Sequence, residues 1–386
     1  MKIVFNRHEI IEAIAPLMCA VSGKSTLNAA DGILIEATAP DTCTLTTFDL
    51  EKGVQITIHP EVIEGGRFII NAQKFNQTVK AMSDSSITLS VDDSLTAIFE
   101  SGKFSHKLSA LYGKDFPETP HLSGEHGFVV KQGVFRKMLS KVMHAMAIND
   151  QRPTLNGCYV RIVQDNLMMV SCDTFRIAKC AISTEMENVN ASGAPLNFSF
   201  IIPNKTVGEM HRMFSDDEEE EVRIYMNRKN MMMNLGEITF FSRLIVGEYM
   251  DIDRVISMEQ SIRVTLDREP MLAALERAAL ITEERIAGYV RAHVKLEVTE
   301  DIMKIVATSA AGSTYDELSV QHEGKDLLIA LNNRYLLDAL RACTAERICL
   351  QMTSDRTPIY ITPAADEESD GEEEKSEFFM LLPIRF

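Results

Sequence analysis

The first stretch with residue types suited to chemistry is Gly23-Lys24-Ser25-Thr26, since a glycine, a lysine and a hydroxyl in sequence can cradle a phosphate. The full phosphate-loop pattern needs an earlier glycine at position 18, which is Met18, so no nucleotide site is assigned there. Cys172 beside Asp173 has the look of a nucleophile. A reactive thiol needs a basic partner, and the sequence identifies none, so Cys172 reads as a buried strand cysteine. His8-Glu9 does not extend to a zinc-binding His-Glu-x-x-His, because position 12 is Glu12. There is no Gly-x-Ser-x-Gly and no dinucleotide fingerprint. The seven cysteines, at 19, 43, 158, 172, 180, 343 and 349, are odd in number and contain no Cys-x-x-Cys. They read as reduced thiols, with neither a disulfide framework nor a metal site. Met231-Met232-Met233 reads as strand packing. The expectation is therefore a non-enzyme without cofactor or metal, whose chemistry rests on charge and apolar surface.

Charge needs closer reading. The chain of 386 residues carries a net charge of −17, with 45% hydrophobic and 25% charged residues. That is ordinary for a soluble globular protein, and the length favours two or three domains. Evenly spread, such acidity would exclude binding to phosphates. It is not evenly spread. Residues 216–221 read DDEEEE and 366–374 read DEESDGEEE, runs typical of solvated loops and without the ordered ligand spacing of a calcium loop. No apolar run is long enough to span a bilayer, and the opening MKIVFNRHEII has charges where a signal peptide has its apolar core. The expected location is the cytoplasm, with no membrane partner.

The elements that would position these charges recur. KIVFNRHEIIEAIAPLMCAV (2–21), GFVVKQGVFRKMLSKVMHAM (127–146) and SIRVTLDREPMLAALERAALI (261–281) each run from an alternating strand into apolar residues at helical spacing. FIINAQKFNQTVKAM (68–82), FIIPNKTVGEMHRMF (200–214) and LLIALNNRYLLDALRAC (327–343) each run from a buried strand into a short amphipathic helix. Alternating strands such as VRIYMN, ICLQMT and IYITP fill the remainder. One α+β unit of roughly 130 residues thus appears three times, each with two helices and a covering sheet. The six helical segments hold 13 Lys and Arg against 6 Asp and Glu, while the rest of the chain holds 26 against 50. Basic charge is concentrated on the helices, most clearly in 131–146, which carries Lys131, Arg136, Lys137 and Lys141 and no acid.

This order of motifs resembles the bacterial DNA polymerase III beta subunit family, the sliding clamps. The resemblance rests on the MKI opening with Gly23-Lys24-Ser25-Thr26-Leu27, Phe48-Asp49-Leu50-Glu51, Asp115-Phe116-Pro117, and Arg152 with Leu155-Asn156-Gly157. It continues through Asp173 with Arg176, Ile202-Pro203 with Lys205, and the closing Leu382-Pro383-Ile384-Arg385-Phe386. It implies an α+β chain of three clamp modules, 1–124, 125–258 and 259–386, forming half of a head-to-tail dimeric ring. Helices would face duplex DNA without reading its sequence, and sheets would form the rim. The implied work is to tether the replicative polymerase, with the clamp loader and other clamp-motif proteins as further partners. The alternative is an interaction scaffold or accessory paralogue of the same fold.

Three residue sets follow from the resemblance. Lys24, Lys74, Lys80, Arg136, Lys137, Lys141, Lys205 and Arg212 would face DNA. A groove for partner peptides would take Arg152, Leu155, Cys172, Thr174, Phe175, Arg176, Ile177, Met250, Arg254, Val255, Asn332, Tyr335, Pro358, Met380, Leu382, Pro383, Ile384 and Arg385. A dimer seam would join His106 and Leu108 to Leu280 and Ile281. The groove departs from the family pattern. Thr174-Phe175 stands for a Gly-His pair, Met250 for a proline, Pro358 for a small polar residue and Thr154 for an aromatic one. At the seam, His106 stands for an aromatic residue.

Overall fold

The described residues form seven α-helices: α1 (Arg7–Leu17), α2 (Ala72–Ala81), α3 (Gln132–Val142), α4 (Asn204–Met213), α5 (Ile252–Val255), α6 (Arg268–Thr282) and α7 (Asn333–Ala342). Asparagine starts three of them. The Asn6 side chain accepts from the amides of His8 (2.9 Å) and Glu9 (3.4 Å), Asn71 from Lys74 (3.0 Å) and Asn332 from Tyr335 (3.2 Å). Each satisfies amides that a helix start leaves without an internal partner. The structure is a computed structural model that describes residues 1–22, 28–120, 122, 126–217, 219–256, 259–282, 285–286, 289–290, 293–309, 312–364 and 377–385.

The chain forms two units. The first comprises Met1–Gln132, Met186–Leu196 and Arg212–Leu244, and the second Gly133–Glu185, Asn197–His211 and Ile245–Phe386. In the first, a 14-stranded sheet carries α1 packed on α2. Its strand Lys52–Ile58 pairs antiparallel with Ile238–Arg243, so the sheet runs from the first sequence repeat into the second. The second unit holds sheets of nine, four and two strands, with α6 packed on α7. There Arg176–Ser183 pairs antiparallel with Glu377–Leu381, and the sheet runs from the second repeat into the third. The α+β architecture and the six long helices agree with the sequence reading. The one-turn α5 was not foreseen.

The two crossings share a turn. The amide of Asp49 donates to the Lys52 carbonyl (3.1 Å), and that of Asp173 to the Arg176 carbonyl (3.2 Å). Each Asp carboxylate accepts two amides further along: Glu51 (2.9 Å) and Lys52 (2.8 Å), or Phe175 and Arg176 (both 3.1 Å). The residue after each Asp is left-handed, Leu50 at φ 76° and Thr174 at φ 79°. The aspartate turn stabilises a conformation that costs an L-residue about 1–2 kcal/mol.

Candidate partner groove and cation surface

Within the second unit, strand register sets side chains in a row. Cys172 lies opposite Ile177, Ile177 opposite Met380, and Met380 opposite Tyr360, so four strands present one face together. This row is buried in one cluster with Ala147, Leu155, Val170 and Ile252. Half-buried Tyr159, Met168, Tyr249, Val255, Ile256 and Phe378 pack around it. Tyr249 stacks on Tyr159 with centroids 5.0 Å apart and planes 11° apart, and Tyr360 meets Phe378 at 5.0 Å. The register thus brings the predicted Cys172, Ile177 and Met380 onto one apolar floor, with Leu155 buried among them and Val255 packed against it.

The rim is set by the aspartate turn and the chain end. Phe175 is 57% exposed on that turn, and Met250 is exposed next to Tyr249. The amide of Leu382 donates to the Phe175 carbonyl (2.8 Å), and that of Ile384 to the Ala330 carbonyl (2.8 Å). Pro383 falls between them, where no donor is needed. One bond thus ties the tail 382–385 to the turn and the other ties it to strand Leu327–Asn332, with Leu382, Pro383 and Ile384 half-buried and Arg385 exposed. Pro358 and Thr174 are half-buried, and Arg254 is exposed.

The polar groups are already engaged inside the chain. Arg176 donates to Asp173 (2.8 Å) and Asp338 (2.6 Å), and its guanidinium lies 4.1 Å over the Tyr335 ring. Arg152 holds Asp150 through Nε (3.0 Å) and Nη2 (3.2 Å). The Asn332 side-chain oxygen caps α7, and Lys179 reaches Asp253 at 3.2 Å. Burial raises the Tyr335 hydroxyl pKa, aided by Asp173 and opposed by Arg176. Burial likewise pushes the Cys172 thiol up, away from a thiolate nucleophile. His144 is pushed down to about 4, mainly by burial and then by Arg176, with Asp338 opposing. Such a site offers apolar burial with neutralised, orienting polar groups, which suits a short apolar peptide.

The helix cations divide. Lys74, Lys80, Lys137, Lys205 and Arg212 are exposed. Arg136 is half-buried and donates to the His211 carbonyl (2.9 Å), tying α3 to α4. Lys141 departs from its expected place on the DNA-facing surface: it forms an ion pair with Glu377, whose side chain is only 3% exposed. Glu377 also accepts from the Thr344 amide (2.9 Å) and hydroxyl (2.5 Å). A buried carboxylate draws the flexible lysine inward, which helical spacing alone does not reveal. Arg277 and Arg341 are likewise paired, with Asp316 (2.7 Å) and Glu276 (2.9 Å). Lys24, the acidic run 366–374 and Phe386 lie outside the described residues.

Two strand edges complete the inventory. Gly312–Ser319 is the last strand of its four-stranded sheet, and α6, with exposed Leu280 and half-buried Ile281, packs on it. Phe104–Tyr112 pairs with Thr96–Ser101 along residues 104–109, but meets Gly66–Asn71 only through 110–112. His106 and Leu108 sit half-exposed on that open stretch. Sequence reading missed Asp338, Asp150, Lys179 and Tyr249. Only Tyr249 carried a signal, as an aromatic beside the predicted Met250.

Repeated two-helix units on antiparallel sheets, with sheets continuing from one repeat to the next, define a clamp-type α+β protein. Residues 1–120, 129–251 and 253–372 match the N-terminal, central and C-terminal domains of the DNA polymerase III beta subunit. The chain belongs to that family, the bacterial sliding clamps. It is 25% identical over 396 residues to the beta sliding clamp of Staphylococcus aureus, covering 100% of this chain and 99% of that one. The sliding clamp of Bacillus subtilis superposes with a TM-score of 0.89 at 22% identity, over 100% of this chain and 99% of that one. The Pseudomonas aeruginosa clamp bound to griselimycin gives 0.86 at 23%, over 100% of both chains.

Proposed function

We propose that this chain is a DNA sliding clamp of modules 1–124, 125–258 and 259–386. Two copies close head to tail around duplex DNA and tether the replicative polymerase. Membership of the clamp family over nearly the whole chain carries the reading. The sheet pattern supports closure. Twice within the chain, a strand of one repeat pairs with the closing strand of the next, and Phe104–Ser109 and Gly312–Ser319 are among the edges that stay open. Pairing them across two copies repeats the same connection and makes a heterologous interface. His106 and Leu108 would then meet Leu280 and Ile281. The work is cytoplasmic and needs no catalytic step or cofactor.

Exposed Lys74, Lys80, Lys137, Lys205 and Arg212 supply weak phosphate contacts suited to sliding. The apolar row with its rim takes partner peptides from the polymerase, the clamp loader and other clamp-motif proteins. The clamp bound to griselimycin makes that compound a fitting probe of this groove. The test is primer extension on a primed circular template with polymerase and loader, alongside sedimentation. Longer products and the mass of two chains are expected. A chain that stays monomeric at micromolar concentration, or leaves product length unchanged as a scaffold would, overturns the proposal.

A further inference from the structure

One groove wall is built on a very short helix. Helix α5 is a single turn of four residues, too short to persist in water on its own. It carries Arg254 and Val255, two residues assigned to the groove. Besides Val255 and Ile256, which pack against the apolar cluster, three features fix the segment 249–256. At one end Tyr249 stacks on Tyr159. In the middle Ile252 is buried in the apolar cluster, and Asp251 caps the turn by accepting the Arg254 amide at 3.3 Å. The third is polar: Lys179 Nζ lies 3.2 Å from the Asp253 carboxylate.

Lys179 is unusual for its place. It sits within strand Arg176–Ser183, between Val170 on one side and Phe378 on the other. Both neighbours belong to the apolar surroundings of the floor, and the lysine side chain is only 18% exposed. A lysine here covers apolar surface with its methylenes and must direct its ammonium outward. Asp253, 79% exposed on α5, is where it goes. The contact joins the sheet under the floor to the wall above it.

We propose that Lys179 is a positioning residue of the groove. Through Asp253 it holds α5 on the sheet and keeps Arg254 and Val255 at the place where a partner peptide docks. The inference rests on the groove reading given under the proposed function. Removing the pair leaves the apolar anchors, so the protein folds, but the wall opens more often and binding weakens.

The test uses the full chain and two readouts. The first is amide hydrogen exchange across residues 249–256, which needs no ligand. The second is griselimycin affinity by calorimetry. In Lys179→Met, exchange of that segment should rise while exchange of α7 stays at the wild-type rate. Griselimycin affinity should fall threefold to fivefold, the scale of one partly exposed ion pair. Lys179→Arg should restore both, and the charge swap Lys179→Asp with Asp253→Lys should restore at least half of the loss. Unchanged exchange in Lys179→Met overturns the inference, as does raised exchange with unaltered affinity. Wild-type chain that fails to bind griselimycin instead overturns the groove reading itself.

Discussion

Replacing Lys141 by Met separates a structural cation from a DNA-facing one. Glu377 is 3% exposed and Lys141 19%, and Glu377 starts the last strand, which runs beside the groove turn. Methionine keeps most of the apolar stem and removes the charge. Breaking a buried pair from one side typically costs about 3–5 kcal/mol, because the remaining charge stays buried. Here the Thr344 amide and hydroxyl still donate to Glu377. The lower end, about 3 kcal/mol at pH 7, is therefore expected.

Its pH dependence carries a definite sign. Burial raises the Glu377 pKa, but hydrogen bonds from Lys141 and Thr344 outweigh it and hold the carboxyl below its ordinary value. In the wild type that stabilisation is present above the unfolded carboxyl pKa, about 4.3, and is lost as pH falls through the depressed folded value. In Lys141→Met the carboxyl pKa rises, so the gap between the two proteins narrows as pH falls from the variant's raised value towards the wild type's depressed one. The assay is urea unfolding at fixed protein concentration, because the midpoint of a dimer moves with concentration. The double variant Lys141→Met with Glu377→Gln should recover most of the loss. A loss under about 1 kcal/mol at pH 7, or a gap that does not change with pH, refutes the reasoning. Lys74→Met, at an exposed position on α2, should stay within about 0.5 kcal/mol of wild type.

Other perturbations probe neighbouring features. His144, held neutral with a pKa near 4 against 6.5 in the unfolded chain, makes stability fall as pH drops between those values, because the unfolded chain binds more protons. The loss is on the order of 2–3 kcal/mol, and His144→Phe should flatten it in unfolding curves measured from pH 7 to 4. Asp338→Ala leaves Arg176, 11% exposed, with one carboxylate in place of two. It should lower unfolding stability by about 1–3 kcal/mol and weaken griselimycin binding. Gly53→Ala puts a methyl 2.1 Å from the Phe241 ring, and the shift required should cost about 1–3 kcal/mol in thermal unfolding.

The repeated helices were legible because apolar residues recur at helical spacing over ten or more positions, as in Phe135, Met138, Leu139 and Val142, all buried. The four-residue α5 has no period to read, and its capping Asp251 resembles any turn aspartate. Apolar groove residues were legible through the family resemblance, and strand pairing then sets Cys172, Ile177 and Met380 on one face. Their charged neighbours were not. Lys141 and Lys137 are both lysines on one helix, and only Glu377, 236 positions further along, decides that one is drawn inward. Arg176 finds Asp338 across 162 positions. Long-range ion pairs have no sequence period, so the destination of a cation is the part of such a site that only the fold reveals.

The two sheet crossings also bear on why one groove per chain is the coherent reading. They use the same aspartate turn and the same strand pairing, so repetition alone would give two equivalent grooves. The side chains differ. At the first crossing the row is Phe48, Gly53 and Phe241, and the two rings meet 5.4 Å apart in a buried cluster with Phe116. Gly53 leaves the rings room to close over the strand. At the second crossing the same places hold Cys172, Ile177 and Met380, with no ring in the row and Phe175 exposed on the turn above. Rigid rings around a glycine fill their own floor. Cysteine, isoleucine and a pliable methionine form a floor that an incoming side chain can reshape, because methionine adapts at little cost. On the proposed reading, the first crossing supplies the stiffness of the chain and the second its binding, from one backbone design with different side chains in the row and on the turn.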